Sequence, residues 1–561
     1  MSLFSTLNTA VRGLHASQTG IDVTGQNISN ANTEGYSRKR VSLVPGVQQA
    51  EGFGQIGTGV EVSEISRVRD TFIDQQTHEQ LGGKGYYTQL DQTLARLENI
   101  FKEPFEGSFN ESMNTFFNSW QDLANNPSDL AAREAVKSAG ASLGDLFHSA
   151  SNEMMKYRMD SDDLLKKKVE EVNYLTGRIA DLNKEISSIE SQEGFKANDS
   201  RDQRDLMVRQ VSQLMDIHSI EDEWGNVSLS SGGALLVGPA GNMPMETFSQ
   251  TFTRPDGVQF STLGIRQQEG RKMITPLSGE IRGILDTKER VVPEYEQSLD
   301  TLADGLTREV NAIHQTGYSL NKVTGLNFFD ASLRGAANFR LSDAIANDSK
   351  NIAAAKGGTS VPANYTPIGG IPAALTPTLD LKTVDPRYRY LAKDSVKITL
   401  FPPGGPVLQE GAGKDYIVDP TLGTIRFLNY SRFAAGDAIS IDFRFEQNGY
   451  PGNGDGSNAL NLAQLRQNPT LAPDTNGAPT QSFTDFYGAM IGTLGTARNQ
   501  NTTSLEIKDF LVKQMDEEQA TVAGVSLDEE MTNLIKYQHS YQASARIVST
   551  VQEMMDVLMN I

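Results

Sequence analysis

The sequence predicts a multidomain α+β protein, with coiled-coil-like helices at its two ends, a long helical bundle trunk and inserted β-rich outer domains. Three observations carry this. A chain of 561 residues is too long for one core and divides into about three or four domains. Apolar residues recur with near-heptad spacing at both ends. Alternating β patterns interrupt the helical stretches twice, so helix, β, helix, β and helix follow one another as excursions from a trunk.

The first element is helical. Leu7, Leu14, Ile21 and Ile28 recur every seven residues, Leu3 and Ala10 take offset positions, and Ser17 and Thr24 fill the seam between. Such a stripe is too narrow to hold a helix by itself. It runs into "NISNANTEGYSRKRV" (27–41), with Asn27, Asn30 and Asn32, then Gly35 and Tyr36. A side-chain amide both donates and accepts, so asparagine can cap a helix end and fix a tight loop. In a stacked array the same amides would also reach a neighbouring copy; the plainer alternative is a helix-terminating loop.

A short β element follows at Val60, Val62 and, after a slip, Ile65. Residues 70–216 read as helix, with Leu165, Val169, Val172, Leu175, Ile179, Leu182, Ile186 and Ile189 stepping by threes and fours. Asn198 and Asp199 are expected to cap the next helix. The stretch 217–274 is β-like. Helix returns over 280–316, with Gly317 as its expected C-cap. Residues 350–380 read as loop, and "SVKITLF", "DYIVD", "TIRFLNY" and "AISIDFRFEQ" as four strands. "NGYPGNGDGSN" is a linker, and helix resumes from 483.

The far end, "SLDEEMTNLIKYQHSYQASARIVSTVQEMMDVLMNI", is the strongest periodic segment. Ser526 and Glu529 make a capping box. Leu527, Met531, Leu534, Gln538, Tyr541, Ala545, Val548, Gln552, Met555 and Met559 step by fours and threes, and Tyr537, Val551 and Leu558 widen the stripe. The helix either packs on its own domain or pairs with the equally one-sided first helix, in a module that becomes stable inside a larger assembly. The expected domains are therefore 1–65 with 524–561 as paired terminal helices, and 66–216, 275–330 and 483–523 as trunk. A small β insertion is expected at 217–274 and an outer β-rich domain at 331–455.

A net charge of −20 argues against a nucleic-acid binder, which needs a basic face. No run reaches the length of a membrane span. The absence of cysteine removes disulfides and thiolate chemistry and suits a cytosolic life or an export route that carries unfolded chains. The first twenty residues lack the basic and apolar regions of a cleavable signal peptide.

No catalytic, cofactor-binding or metal-ligating set is expected. "GFGQIG" (52–57) matches a dinucleotide fingerprint but precedes β alternation rather than a helix, and reads as a turn. The six histidines are scattered and read as surface or helix-end residues. "GNGDGSN" lacks the glutamate of a calcium loop.

Gly13, Leu14, Ala16, Asn27, Ile28, Asn30, Thr33, Gly35 and Tyr36 form a pattern that resembles the N-terminal signature of the bacterial flagellar rod, hook and hook-associated proteins. "GTGVEVSEISRVRD" and the last helix resemble the family's next and C-terminal blocks. "GYSR", the long helical region, "DQRD" (202–205) and "NFFD" (327–330) look like the hook-associated protein 1 (FlgK) branch. Ser29 and Lys39 depart mildly from the pattern, and residues 330–450 carry no family motif.

The resemblance implies a non-enzymatic subunit of the extracellular flagellum at the hook–filament junction. It would polymerise with its own copies and contact the hook protein and the next junction protein. It would leave by the flagellar type III export apparatus, with a chaperone on the C-terminal helix. The expected assembly residues are Leu7, Leu14, Ile21, Asn27, Ile28, Asn30, Asn32 and Tyr36, with Leu527, Met531, Leu534, Tyr541, Val548, Val551, Met555 and Leu558. Two readings stay open beside it. One is a hook or distal-rod protein. The other is an enzymatic insert in 331–455, which would need acids from "DYIVD", "FRFEQ" and "GNGDGSN" to converge.

Overall fold

The chain forms long helices punctuated by small antiparallel sheets, an α+β architecture in several parts. The computed structural model describes residues 3–51, 54–101, 108–191, 195–356, 360–367, 370–371, 378–392, 395–400, 406–412, 414–420, 422–428, 437–446, 449, 451–473 and 477–559. Gly52 and Phe53 of the glycine-rich turn, Phe401, Asn429, Tyr430 and Gln447 of the expected strands, and Asn448 and Tyr450 of the linker lie outside these.

In chain order, α1 (Leu3–Ser29) leads to strands β1 (Lys39–Pro45), β2 (Gln48–Glu51), β3 (Gly54–Gly57) and β4 (Val60–Arg67). Then come α2 (Thr71–Phe101), α3 (Phe109–Asn125), α4 (Leu130–Glu190) and α5 (Asn198–Leu214). Strands β5 (His218–Glu221), β6 (Val227–Ser231), β7 (Ala234–Gly238), β8 (Gly241–Asn242), β9 (Met245–Thr253) and β10 (Gln259–Gln267) precede α6 (Gly279–Asp286). A π-turn (Thr287–Val291) joins α6 to α7 (Val292–His314). Next are β11 (Gly317–Tyr318), α8 (Asp343–Asn347), β12 (Ala355–Lys356), β13 (Ser360–Tyr365), β14 (Thr378–Asp380), β15 (Lys397–Leu400), β16 (Tyr416–Asp419), β17 (Thr424–Phe427) and β18 (Ile439–Glu446). The chain ends with α9 (Ser457–Gln464), β19 (Leu471–Pro473), β20 (Pro479–Gln481), α10 (Phe483–Ala523) and α11 (Leu527–Met559).

These elements fall into two compact units, one of residues 1–95, 157–293 and 496–561 and the other of 96–156 and 294–495. Residues of the expected trunk fall in both units, and each boundary lies inside a helix. In the first unit, Leu165, Val169, Val172 and Ile179 of α4 meet Val208 and Val211 of α5, Leu229 and Leu236 of the four-stranded sheet, and Ile281 and Ile284 of α6. This is the threes-and-fours stripe turned inward.

In the second unit an aromatic cluster of Phe101, Phe109, Phe116, Trp120, Phe147, Phe328, Phe329, Phe339 and Tyr487 is fully or almost fully buried. Two three-stranded sheets, β13-β18-β15 and β14-β17-β16, close over Ile398, Ile425, Phe427, Ile439, Ile441 and Phe443.

Several local expectations are corrected. Asn198 and Asp199 do not cap α5: the N-cap is Ala197, and the Asn198 amide donates to the Ile65 carbonyl at 2.6 Å. Gly317 is not a C-cap but pairs in β11, where a Cβ would come within 2.2 Å of the Asn458 amide. The stretch read as loop over 350–380 holds β12, β13 and β14. His314 is a helix-end residue, the last of α7, and is completely buried. The slip between Val62 and Ile65 is a β-bulge: Val41 pairs with Ile65 and Leu43 with Val62.

Candidate assembly interface

Helices α1 and α11 lie antiparallel, in contact along most of their length, within the first unit. Their facing positions advance by sevens. Asn27 meets Glu530, Gly20 meets Tyr537 and Gly13 meets Ser544. One further step brings Thr6 and Val551 to the walls of one small cleft. The glycines are there for approach: a Cβ on Gly20 would stand 2.6 Å from the Tyr537 ring, and one on Gly13 3.0 Å from the Ser544 hydroxyl. Small residues at such a seam let helix axes come close.

The largest apolar residues are not the interior. The buried positions of α1 are Ala10, Ala16, Ser17, Gly20, Val23, Thr24 and Asn27, while Leu7, Leu14, Ile21 and Ile28 are half-buried beside them. In α11 only Glu530 and Val551 are buried. Leu534, Tyr541, Val548 and Met555 are half-buried, and Leu527, Met531 and Leu558 are exposed. The seam of α11 is therefore 530, 534, 537, 541, 544, 548, 551 and 555, rotated from the stripe that side-chain size suggests. Leu527, Met531, Ile535, Ile547, Met554, Val557 and Leu558 face solvent.

The asparagine loop closes the base of this pair. The Asn27 amide donates to the Lys39 carbonyl at 2.9 Å and to Glu530 Oε2 at 3.0 Å. Its oxygen accepts the Lys39 N–H at 3.0 Å and the Tyr36 hydroxyl at 2.8 Å. All four of its hydrogen-bonding positions are thus used inside one chain, with the amide standing beside Lys39 as a neighbouring strand would. Asn30 turns back to the Gln26 carbonyl and accepts from Thr33, and Gly35 takes a left-handed φ of 79°. Asn32 is exposed.

Three successive backbone N–H groups then each bind a different part of the chain: Ser37 to Asp202, Arg38 to the Ala523 carbonyl and Lys39 to Asn27. Arg38 also pairs with Glu530 at 2.8 Å and Glu529 at 2.8 Å. The expected capping box is half made: Glu529 N–H reaches Ser526 Oγ at 3.5 Å, but its carboxylate goes to Arg38. Lys39 binds Asp199 at 2.5 Å.

Arg67 binds Asp202 and Asp205 at 2.7 and 2.9 Å, and Arg69 binds Asp74 and Asp205 at 2.6 and 3.3 Å. The "DQRD" turn of α5 is thereby the socket for the signature loop. Burial works against ionisation of Asp205, but Arg69, Arg67 and Arg204 hold it below the ordinary carboxylate range. Burial, with Asp199, Asp202 and Glu530 nearby, pushes the Tyr36 hydroxyl up to about 12, so it stays a donor.

Beside this network lies a polar cleft of about 770 Å³ whose basic groups, among them Arg67, Arg69 and Arg201, already hold carboxylates. Among the described residues no group of three acids, histidines or cysteines is placed to hold a metal ion. In the second unit Asp415 accepts the Gln409 N–H, Glu446 the Tyr318 hydroxyl, and Asp455 the Ser457 and Lys356 N–H groups. Each of these acids is engaged by a donor of the second unit. The seam residues that sequence reading did not place at the interface are Gly13, Gly20, Glu530 and Ser544. Their signal is a seven-residue repeat carried by small and charged side chains.

Residues 94–329 match the profile of the flagellar hook-associated protein FlgK helical domain. Residues 521–561 match the flagellar basal body rod FlgEFG protein C-terminal profile, and residues 7–36 the flagella basal body rod protein profile. The chain is 26% identical to flagellar hook-associated protein 1 of Bacillus subtilis, with 100% of this chain and 98% of that one covered. It is 25% identical to the protein of that name from Salmonella typhimurium, over 99% and 100%. A solved structure described as the flagellar hook junction protein FlgK from Burkholderia pseudomallei shares the fold. Its TM-score is 0.56 at 20% identity, covering 80% of this chain and 100% of that one.

Proposed function

The chain belongs to the flagellar hook-associated protein 1 family, and from that premise we propose that it is a structural subunit of the bacterial flagellum at the hook–filament junction. It polymerises on the distal hook through its terminal helices and adapts hook to filament. The observation that carries this reading is the α1–α11 pair, which holds itself together by small residues while turning Leu527, Met531, Ile535, Val557 and Leu558 to solvent. Apolar side chains exposed in groups at both ends of one helix mark a surface for a partner.

The partners of this proposal are further copies of the chain, the hook protein and the next junction protein. A chaperone covers α11 until assembly, and the type III apparatus carries the chain to its extracellular place. The lack of cysteine suits such passage in unfolded form. Asp415, Glu446 and Asp455 each accept a hydrogen bond from a backbone N–H or the Tyr318 hydroxyl, which supports a non-enzymatic part.

Electron microscopy of cells lacking this chain tests the reading. Hooks without filaments are expected, with filaments restored by the full chain but not by one ending before Tyr541. Filaments on the deleted cells, or normal incorporation of the shortened chain, would overturn it.

A further inference from the structure

We propose that residues 357–454 form a separate folding module, set into the second unit through a closed neck, and that the rest of the subunit folds and assembles without it. The assembly half rests on the proposed function; the folding half does not.

The core of the two outer sheets is self-contained. Ile371, Leu391, Ile398, Ile425, Ile441 and Phe445 are buried in one cluster whose members all lie between residues 363 and 445. At its centre Ile441 of β18 pairs with Tyr365 on one side and Ile398 on the other. A segment that buries its apolar side chains against one another has the core that independent folding needs.

Residues 331–354, expected in the same outer domain, go the other way. The Phe339 ring lies 4.7 Å from Phe147 and 4.3 Å from Phe329, centre to centre. The Gly335 and Ala336 N–H groups donate to Asp304 and Asp300 of α7, at 2.8 Å each. This stretch belongs with the helices.

The two crossings are fastened to each other. On the way out, the Ile352 carbonyl accepts from Arg133 at 2.5 Å and the Ala353 N–H donates to His314 at 2.9 Å. On the way back, the Asn458 and Ala459 N–H groups both donate to the Ala354 carbonyl at 3.0 Å. The Asn458 amide donates to the Ala353 carbonyl at 2.8 Å, and the Lys356 N–H to Asp455 at 3.1 Å. Arg133, His314 and Asn458 stand on α4, α7 and α9, so the helices themselves hold exit and return together. A join so narrow can be bridged by about three residues. Beyond it the Tyr318 hydroxyl reaches Glu446, and Lys322 reaches Pro451 and Asn453. Polar bonds of this kind couple two cores weakly. The residues proposed for assembly all lie in the first unit.

Hydrogen exchange on the full chain tests the folding half. Ile441→Asp puts an unpaired charge into the module's core. Amides of β15 and β17 should then exchange about a hundredfold faster, while those of Phe328, Phe329 and Ala353 stay within about twofold. Equal acceleration at those three would overturn the module. A chain with Gly-Ser-Gly in place of 357–454 is the second variant. Its tryptophan emission comes from Trp120 and Trp224, both outside the module, and should report unfolding within about 3 °C of the full chain. An unfolded product would overturn the proposal.

The shortened chain should also restore filaments to cells lacking the full one. If it folds yet restores none where the full chain does, the assembly half is overturned. If the full chain restores none either, the proposed function falls and the assembly half with it, while the exchange result still decides the module.

Discussion

Asp202 is almost fully buried and holds two things at once, the Ser37 N–H and the Arg67 guanidinium. Replacing it with alanine leaves a backbone donor without an acceptor and removes half of the Arg67 pairing. The expected loss is about 2–4 kcal/mol of local stability, read as faster amide exchange at Ser37, Arg38 and Lys39. A small side chain is as consequential at Gly20. Alanine there gains about 0.5–1 kcal/mol of helix propensity but drives its methyl into the Tyr537 ring, at a cost of about 1–3 kcal/mol. Gly20→Ala should therefore loosen α1 and α11 together, seen as lost protection in both helices while α4 and α5 keep theirs.

Among elements, α7 shows a pH dependence of its own. His314 at its end is completely buried; its Nδ1 donates to the Leu326 carbonyl at 2.6 Å and its Nε2 accepts the Ala353 N–H at 2.9 Å. Burial pulls its pKa down to about 4. The folded state therefore resists a proton that the unfolded chain takes up near pH 6.5. Stability from this group is present above about 6.5 and is lost as pH falls toward 4, by up to about 3 kcal/mol. Thermal unfolding of the second unit should show that slope, and His314→Gln should flatten it.

Legibility at this scale followed the strength of each pattern. The long stripe of α4 and the alternation of β15 to β18 are periodic enough to read. Strands β13 and β14 were not, because "SVPANY" carries a proline and "TLD" is three residues long. The terminal seam escaped for a different reason. Helices this close are separated by Gly, Ser and Ala, which carry no hydrophobic signal, and the one charged residue inside them reads as a surface acid. Asn27 could be singled out from sequence; its partner 503 residues away could not.

For the whole molecule, the telling variant is one that the lone chain ignores. Leu558 is 60% exposed, so Leu558→Asp should leave thermal unfolding of the free protein within about 0.5 kcal/mol. Placed against a neighbouring copy, the same carboxylate is stripped of water without a partner, a cost of several kcal/mol. Incorporation at hook tips should fail while purified protein melts as before. Incorporation at the ordinary level would put the polymer contact elsewhere.

The antiparallel pairing of α1 with α11 also bears on the order of synthesis. Among the described elements α11 is translated after all the others, so until then α1 has only such partners as β1 and β4. A chain broken off within α11 still holds every residue of the second unit but lacks the full partner of α1. On the proposed function, a product lacking α11 would be left out of the growing structure without a separate inspector.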